Sequence, residues 1–283
     1  MLFQRVITAL ILIPLVIAGV LQLSTLNLSL FLALVVLMGG FEWTRLAALD
    51  SLPGKLLFLL LLALSMAGFA LLFQIFRPWD SIPILPDWIF PSTLLFTLFW
   101  ILVTMKLVRY RPSLVTAPGR FGKSGIGLLV LAPAWLSLLV VHGLYHDGPY
   151  LVLYLMVLIW VADSCAYFSG RRWGRVKLAP EISPGKTREG VYGALAGAAL
   201  SGALLYSLRP ETGSLLLLIL FSVVVALFSV VGDLFESLLK RQAGLKDSGN
   251  LLPGHGGILD RIDSLTAAAP VFLFGLLLLE ILK

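Results

Sequence analysis

The chain has 283 residues, 59% of them apolar and only 13% charged, with mean hydropathy +0.99. Soluble domains average about 45–50% apolar and roughly 25% charged, so lipid is the solvent for most of this chain, and a soluble enzyme, a disordered protein and a disulfide scaffold are excluded. The net charge of +6 would point a soluble protein towards nucleic acid, but in a membrane protein basic loops hold the cytoplasmic side.

A membrane helix needs about 20 mostly apolar residues. Nine such runs follow in chain order: 6–23, 28–41, 56–73, 92–108, 125–145, 151–170, 190–208, 214–233 and 264–282. The second is the shortest. The first is too long for a signal peptide and lacks a small-residue cleavage site. With the N-terminus cytoplasmic, all of the 21 cations except Arg77, Arg209 and Lys283 fall on one side. This is the asymmetry of the positive-inside rule. The expected fold is therefore all-α and polytopic, with about nine transmembrane helices, the N-terminus cytoplasmic and the C-terminus opposite. Residues 1–124 form an N-terminal group of about four spans. Residues 125–283 form a C-terminal region with polar cytoplasmic loops at 171–189 and 235–263, which is expected to be the catalytic one because loops held by a rigid scaffold carry function. The cationic charge is a topology signal, and no nucleic-acid partner is expected. Cys165, the single cysteine, forbids an intrachain disulfide and reads as a packing residue.

The chemistry-bearing residues cluster late in the chain. Asp163 lies inside the sixth run, where a carboxylate is costly and marks function by default; the plainer reading is an acid paired with an arginine to join two helices. Tyr167 falls one turn on, on the same face, where it could present its hydroxyl to the same cavity or anchor the interface. Asp233 ends the eighth run, and spacings of three and four align it with Glu236, Ser237 and Lys240. Asp260 and Asp263 open the ninth run. Helix ends attract acids anyway, but carboxylates at one depth also suit Mg²⁺, which takes one or two of them plus substrate phosphates.

Ser183-Pro184-Gly185-Lys186-Thr187 resembles the end of a P-loop, but Pro180 stands where the first glycine belongs and a membrane helix follows, so Walker A is rejected. Free N–H groups, a lysine and a hydroxyl at a helix start still make an anion site. The stretch 237–263 carries Lys240, Arg241, Lys246, Asp247, His255, Gly256, Gly257, Asp260, Arg261 and Asp263. Cations meet phosphates, glycines allow close backbone approach, and acids hold the neutralising metal. His255 could orient a phosphate or cap the turn. Together these residues describe a multi-pass membrane enzyme whose cytoplasmic site handles phosphates and a divalent metal, with a lipid among its substrates.

The run from Ser237 to Asp263 resembles the signature of phosphatidate cytidylyltransferases, the CDP-diacylglycerol synthases. Ser237, Leu239, Lys240-Arg241, Lys246-Asp247, Gly249, Leu252-Pro253, His255-Gly256-Gly257 and Asp260-Arg261-Ile262-Asp263 match it element by element. The likeness extends to 163–170, to Lys177-Leu178-Ala179-Pro180 and to 183–187, covering about the last 120 residues. It departs at Cys165 and Arg188. What the resemblance implies is transfer of a cytidylyl group from CTP to phosphatidate, giving CDP-diacylglycerol and pyrophosphate. It implies Asp233 and Asp260 as metal ligands, with Asp263 close behind, and Asp163 either as an acid supporting those ligands or as a ligand of a second cation such as K⁺. It implies Lys240 and Arg261 in catalysis. Ser183, Lys186, Thr187, Ser237, Arg241, Lys246, Asp247, His255, Gly256, Gly257 and Tyr167 would then bind substrate. It further implies a homodimer in a bacterial plasma membrane, with the site facing the cytoplasm. A transporter, or another lipid-phosphate enzyme such as a polyprenol kinase, is the rival reading.

Overall fold

The computed structural model describes residues 13–73, 88–110, 117–144, 147–210, 213–251 and 256–279. Hydrocarbon offers no partner to a backbone N–H or C=O, so a spanning segment must satisfy its own. The apolar runs accordingly fold as helices. A short apolar helix, α1 (Ile13–Gln22), is followed by eight helices long and apolar enough to cross a membrane. These are α2 (Thr25–Leu46), α3 (Leu52–Leu72), α4 (Ile89–Val108), α5 (Arg120–Leu144), α6 (Gly148–Trp173), α7 (Arg188–Leu208), α8 (Leu215–Gln242) and α9 (Leu259–Leu278). The first half of the 6–23 run and the last residues of the 264–282 run lie outside the described residues. The short 28–41 run grows into a 22-residue helix, because Ser24 caps it ahead of the apolar stretch and Glu42, Trp43 and Arg45 continue it beyond.

Two expectations about loops change. The stretch 235–263 is helical at both ends: α8 continues to Gln242 and α9 starts at Leu259, leaving 243–258 as the connection. At 28 residues and about 1.5 Å per residue, α8 is roughly 42 Å long, against about 30 Å of hydrocarbon. Its last turns therefore carry Ser237, Lys240 and Arg241 beyond the apolar core. Gly244 ends the helix at φ +69°, a left-handed conformation that glycine adopts without penalty. The stretch 171–189, expected as a loop in an all-α fold, contains a small antiparallel hairpin, β1 (Lys177–Ala179) and β2 (Ser183–Thr187). Ile182 in its turn is buried against Leu234 and Leu238 of α8, which fixes the hairpin to the helix end.

α5 and α9 are the interior helices, with 72% and 56% of their spans buried against 22–39% for the other long helices. The leucine-rich outer faces of α3, α4 and α7 stay exposed, as lipid-facing surfaces do. α6 and α7 approach closely on small residues. A Cβ on Gly197 would lie 2.8 Å from the Cys165 Sγ, and a Cβ on Gly193 would collide with the Ser169 side chain. Cys165 therefore packs between helices, as expected.

Candidate active site

Four helix ends and the hairpin strand β2 meet at one end of the bundle. Lys186 in β2 reaches α8, Lys240 of α8 reaches α9, and Glu42 of α2 reaches the α8–α9 connection. Trp43 Nε1 donates to the Lys123 carbonyl at 2.9 Å, adding the start of α5. At the opposite end, Arg209 pairs with Asp147 at 2.5 Å.

The first part of the site is a cavity of about 380 Å³ between α6, β2, α7 and α8. Asp163 and Asp233 line it with Lys186, Thr187, Tyr167 and Arg171, against Val191 and Val230. Lys186 Nζ lies 2.6 Å from Asp233 Oδ2. Ser237 Oγ donates to Asp233 Oδ1 at 3.3 Å, one helical turn on. Arg171 donates to the Tyr167 hydroxyl at 3.0 Å. Thr187 caps α7 by accepting from the Gly190 N–H at 3.1 Å, so part of its hydroxyl capacity is spent on the helix. Gly185 faces open space in the cavity wall.

The second part lies at the α8–α9 junction. Lys240 Nζ donates to Asp260 Oδ1 at 2.7 Å and to Glu236 Oε2 at 3.3 Å. Asp260 also accepts from the Ser248 N–H at 3.3 and 3.1 Å and from the Gly257 N–H at 2.8 Å. Lys240 and Asp260 are nearly enclosed, their side chains 11% and 8% exposed, whereas Lys186 and Asp233 are 27% and 31% exposed. Gly256 turns the chain at φ +80°, and a Cβ there would sit 2.7 Å from Asp260 Oδ2. Lys246, Asp247 and Arg261 are exposed. Arg241 is exposed too, its Nε donating to the Ile182 carbonyl at 3.3 Å. Ser183 opens β2. His255 lies outside the described residues.

The four candidate metal ligands do not form one cluster. Among the described residues, no three His, Cys, Asp or Glu side chains stand together as a metal centre. Asp163 and Asp233 share the cavity, Asp260 belongs to the junction, and Asp263 lies between them, against Glu236 and in electrostatic range of Asp233 and Lys186. Two of these acids are engaged by different lysines, Asp233 by Lys186 and Asp260 by Lys240. The donor chemistry nevertheless fits a hard cation. Every candidate ligand is a carboxylate, and Glu236 Oε1 is buried with no hydrogen-bond partner, an oxygen that lacks compensation.

Sequence reasoning missed Glu42 and Arg45. Glu42, 2% exposed, accepts from the Ser248 hydroxyl at 3.0 Å, the Ile258 N–H at 3.1 Å and the Leu259 N–H at 2.8 Å. Arg45 Nη1 donates to the Ser248 carbonyl at 3.0 Å. The available signal was a carboxylate directly after an apolar run, at the edge of the membrane depth that made Asp163 inside its run a candidate.

The model of the cytidylyltransferase family matches residues 3–279 of the chain. A phosphatidate cytidylyltransferase of Pseudomonas aeruginosa is 43% identical over 273 residues, covering 96% of each chain. One from Haemophilus influenzae is 36% identical over 96% of this chain and 97% of its own. One from Bacillus subtilis is 40% identical over 54% of this chain and 59% of its own. The lysines, glycines and acids described above lie within the matched span, on a bundle of apolar helices. The chain therefore belongs to the cytidylyltransferase family.

Proposed function

We propose that this membrane enzyme transfers the cytidylyl group of CTP to phosphatidate, releasing pyrophosphate, at the cytoplasmic face of a bacterial plasma membrane. The observation that carries the reading is the convergence of two lysine–carboxylate pairs, Lys186–Asp233 and Lys240–Asp260, at the polar end of the bundle, one of them beside a cavity between spanning helices. Relatives covering nearly the whole chain carry the name of this reaction.

In this reading a lipid phosphate oxygen forms a new P–O bond at the α-phosphorus of CTP, and the bond to the β-phosphate oxygen breaks. A phosphate monoester has a second pKa near 6, so the nucleophile is already largely dianionic at neutral pH and no strong general base is needed. Catalysis then rests on positioning and on neutralising charge. Lys186 and Lys240 meet the phosphates, with Arg261, Lys246 and Arg241 around the rim. Tyr167 and Arg171 border the cavity that takes the lipid phosphate, and Asp163 sits deeper in it. Gly256 and Gly257 let a phosphate approach the backbone beside Asp260. Asp233 and Asp260, with Asp263 between them, are the acids that would hold Mg²⁺ once drawn together over the substrate phosphates, and Asp163 would stand beside a second cation such as K⁺. When bound, such cations neutralise the triphosphate and the leaving pyrophosphate. A homodimer is the assembly that the family resemblance supports.

The test is product identity. The purified chain is given phosphatidate, Mg²⁺ and CTP labelled at the α-phosphate. Label moving into the lipid phase with release of pyrophosphate, and none with ATP, is the expected result. Label that stays in water with folded protein would overturn the reading and leave lipid phosphorylation or transport to be assayed.

A further inference from the structure

Glu42 lies on α2, far in sequence from the signature run 237–263, and it is as buried as any acid of the site. Its carboxylate faces the α8–α9 connection and does not line the cavity. Three consecutive amides open α9, and two carboxylates divide them. The Gly257 N–H donates to Asp260, whereas the Ile258 and Leu259 N–H groups donate to Glu42. Ser248 is divided in the same way: its hydroxyl goes to Glu42 and its N–H to Asp260. Arg45, one turn along α2, holds the Ser248 carbonyl.

The connection is also shaped around Glu42. A Cβ on Gly249 or on Gly257 would collide with the Glu42 carboxylate, so both positions leave room for it. Buried N–H and O–H donors must be satisfied. Without the Glu42 charge, the Ile258 and Leu259 amides and the Ser248 hydroxyl would lose their acceptor and would compete for Asp260, the carboxylate that already accepts from the adjoining Gly257 and Ser248 amides. That carboxylate would then swing away from Lys240.

We propose that Glu42 is a positioning residue for the transfer reaction: by holding Ser248 and the first α9 amides, it reserves the Asp260 carboxylate for Lys240 and for substrate-borne charge. The proposal rests on the cytidylyl-transfer reading. It assigns to the N-terminal helices a part in the site, through a side chain that touches no substrate.

The test uses the full chain in detergent and the variant Glu42→Gln, which keeps size but must turn an NH₂ group towards donors. Two readouts are taken: KM for CTP under saturating phosphatidate, and hydrogen exchange of peptides covering 243–262. The expected result is a KM for CTP raised about tenfold, the scale of one charge-assisted hydrogen bond, with faster exchange confined to the connection and the start of α9. Ser248→Ala, a milder change, should raise KM about threefold, the scale of a neutral hydrogen bond. It carries the test if Glu42→Gln does not fold. An unchanged KM, or faster exchange spread over all helices with activity falling only as folded protein is lost, would overturn the proposal. If wild-type protein transferred no cytidylyl group, the reading of the reaction would fall and this proposal with it. Normal wild-type turnover with unshifted variants would refute the proposal alone.

Discussion

Neutralising Asp233 and Asp260 one at a time should separate stability from turnover. Asp233→Asn removes charge from a pair whose side chains are about three-tenths exposed, and exposed ion pairs contribute about 0–1 kcal/mol. Asp233 keeps the Ser237 hydroxyl as a neighbour, and water reaches Lys186. Asp260→Asn acts on a pair about one-tenth exposed. There the lost acid also accepts from two backbone amides, and the asparagine NH₂ must face either those amides or Lys240. Breaking a buried pair costs about 3–5 kcal/mol. Because Lys240 retains Glu236, we expect the low end, about 3 kcal/mol. Both variants should lose at least about a hundredfold in turnover, the cost of removing one preorganised electrostatic group. The assays are label transfer from CTP and thermal loss of the monodisperse species in detergent. Equal destabilisation by the two substitutions would refute the burial argument, and near-normal turnover of either at saturating Mg²⁺ would remove that acid from the site.

Other substitutions probe separate parts. Gly257→Ala drives a methyl group into Glu42 and Ser248; turnover should fall at least about tenfold, since overpacking typically costs 1–3 kcal/mol, and wild-type activity would show that the connection can yield. Cys165→Ala removes a thiol that packs on Gly197 and should retain most activity; a folded but inactive variant would contradict the packing role. Gly193→Val should lower the yield of folded protein, because the α6–α7 contact has no room for it; normal yield and thermal stability would show that the helices can part. Tyr154→Phe breaks the 2.6 Å bond to Ser222 between α6 and α8 and should lower stability by about 1 kcal/mol without changing KM for either substrate, which thermal denaturation and kinetics check together.

Hydropathy made the spanning helices legible, because lipid allows an apolar run of that length few alternatives. The helical face of Asp233, Glu236, Ser237 and Lys240 was readable for a similar reason: spacings of three and four translate directly into neighbours on one helix. The 171–189 hairpin was not readable. Its strands are three and five residues long, and what holds them is Ile182 against Leu234 and Leu238, a tertiary contact without a local period. The separation of the acids was hidden as well. Helical spacing puts Asp260 and Asp263 on one face, but Lys240 and two amides bind Asp260, whereas Asp263 lies against Glu236.

The contribution of α2 lay furthest from sequence reasoning, and the cause is physical. A polar connection that doubles back between two membrane helices exposes more backbone donors than its own side chains can satisfy. Ser248, Ile258 and Leu259 need an acceptor; residues 248–259 contain no Asp or Glu, and Asp260, the acid that follows, already accepts from Lys240, Ser248 and Gly257. The acceptor must come from elsewhere in the chain. Glu42 supplies it across more than 200 positions of sequence, with separations of 206 to Ser248 and 217 to Leu259. Motif reading is confined to one segment and finds the groups that face a substrate. The group that keeps them in place is found by asking where each buried donor of that segment goes. By that question Glu42 belongs to the site as much as Asp260 does, which is why the two should be tested together.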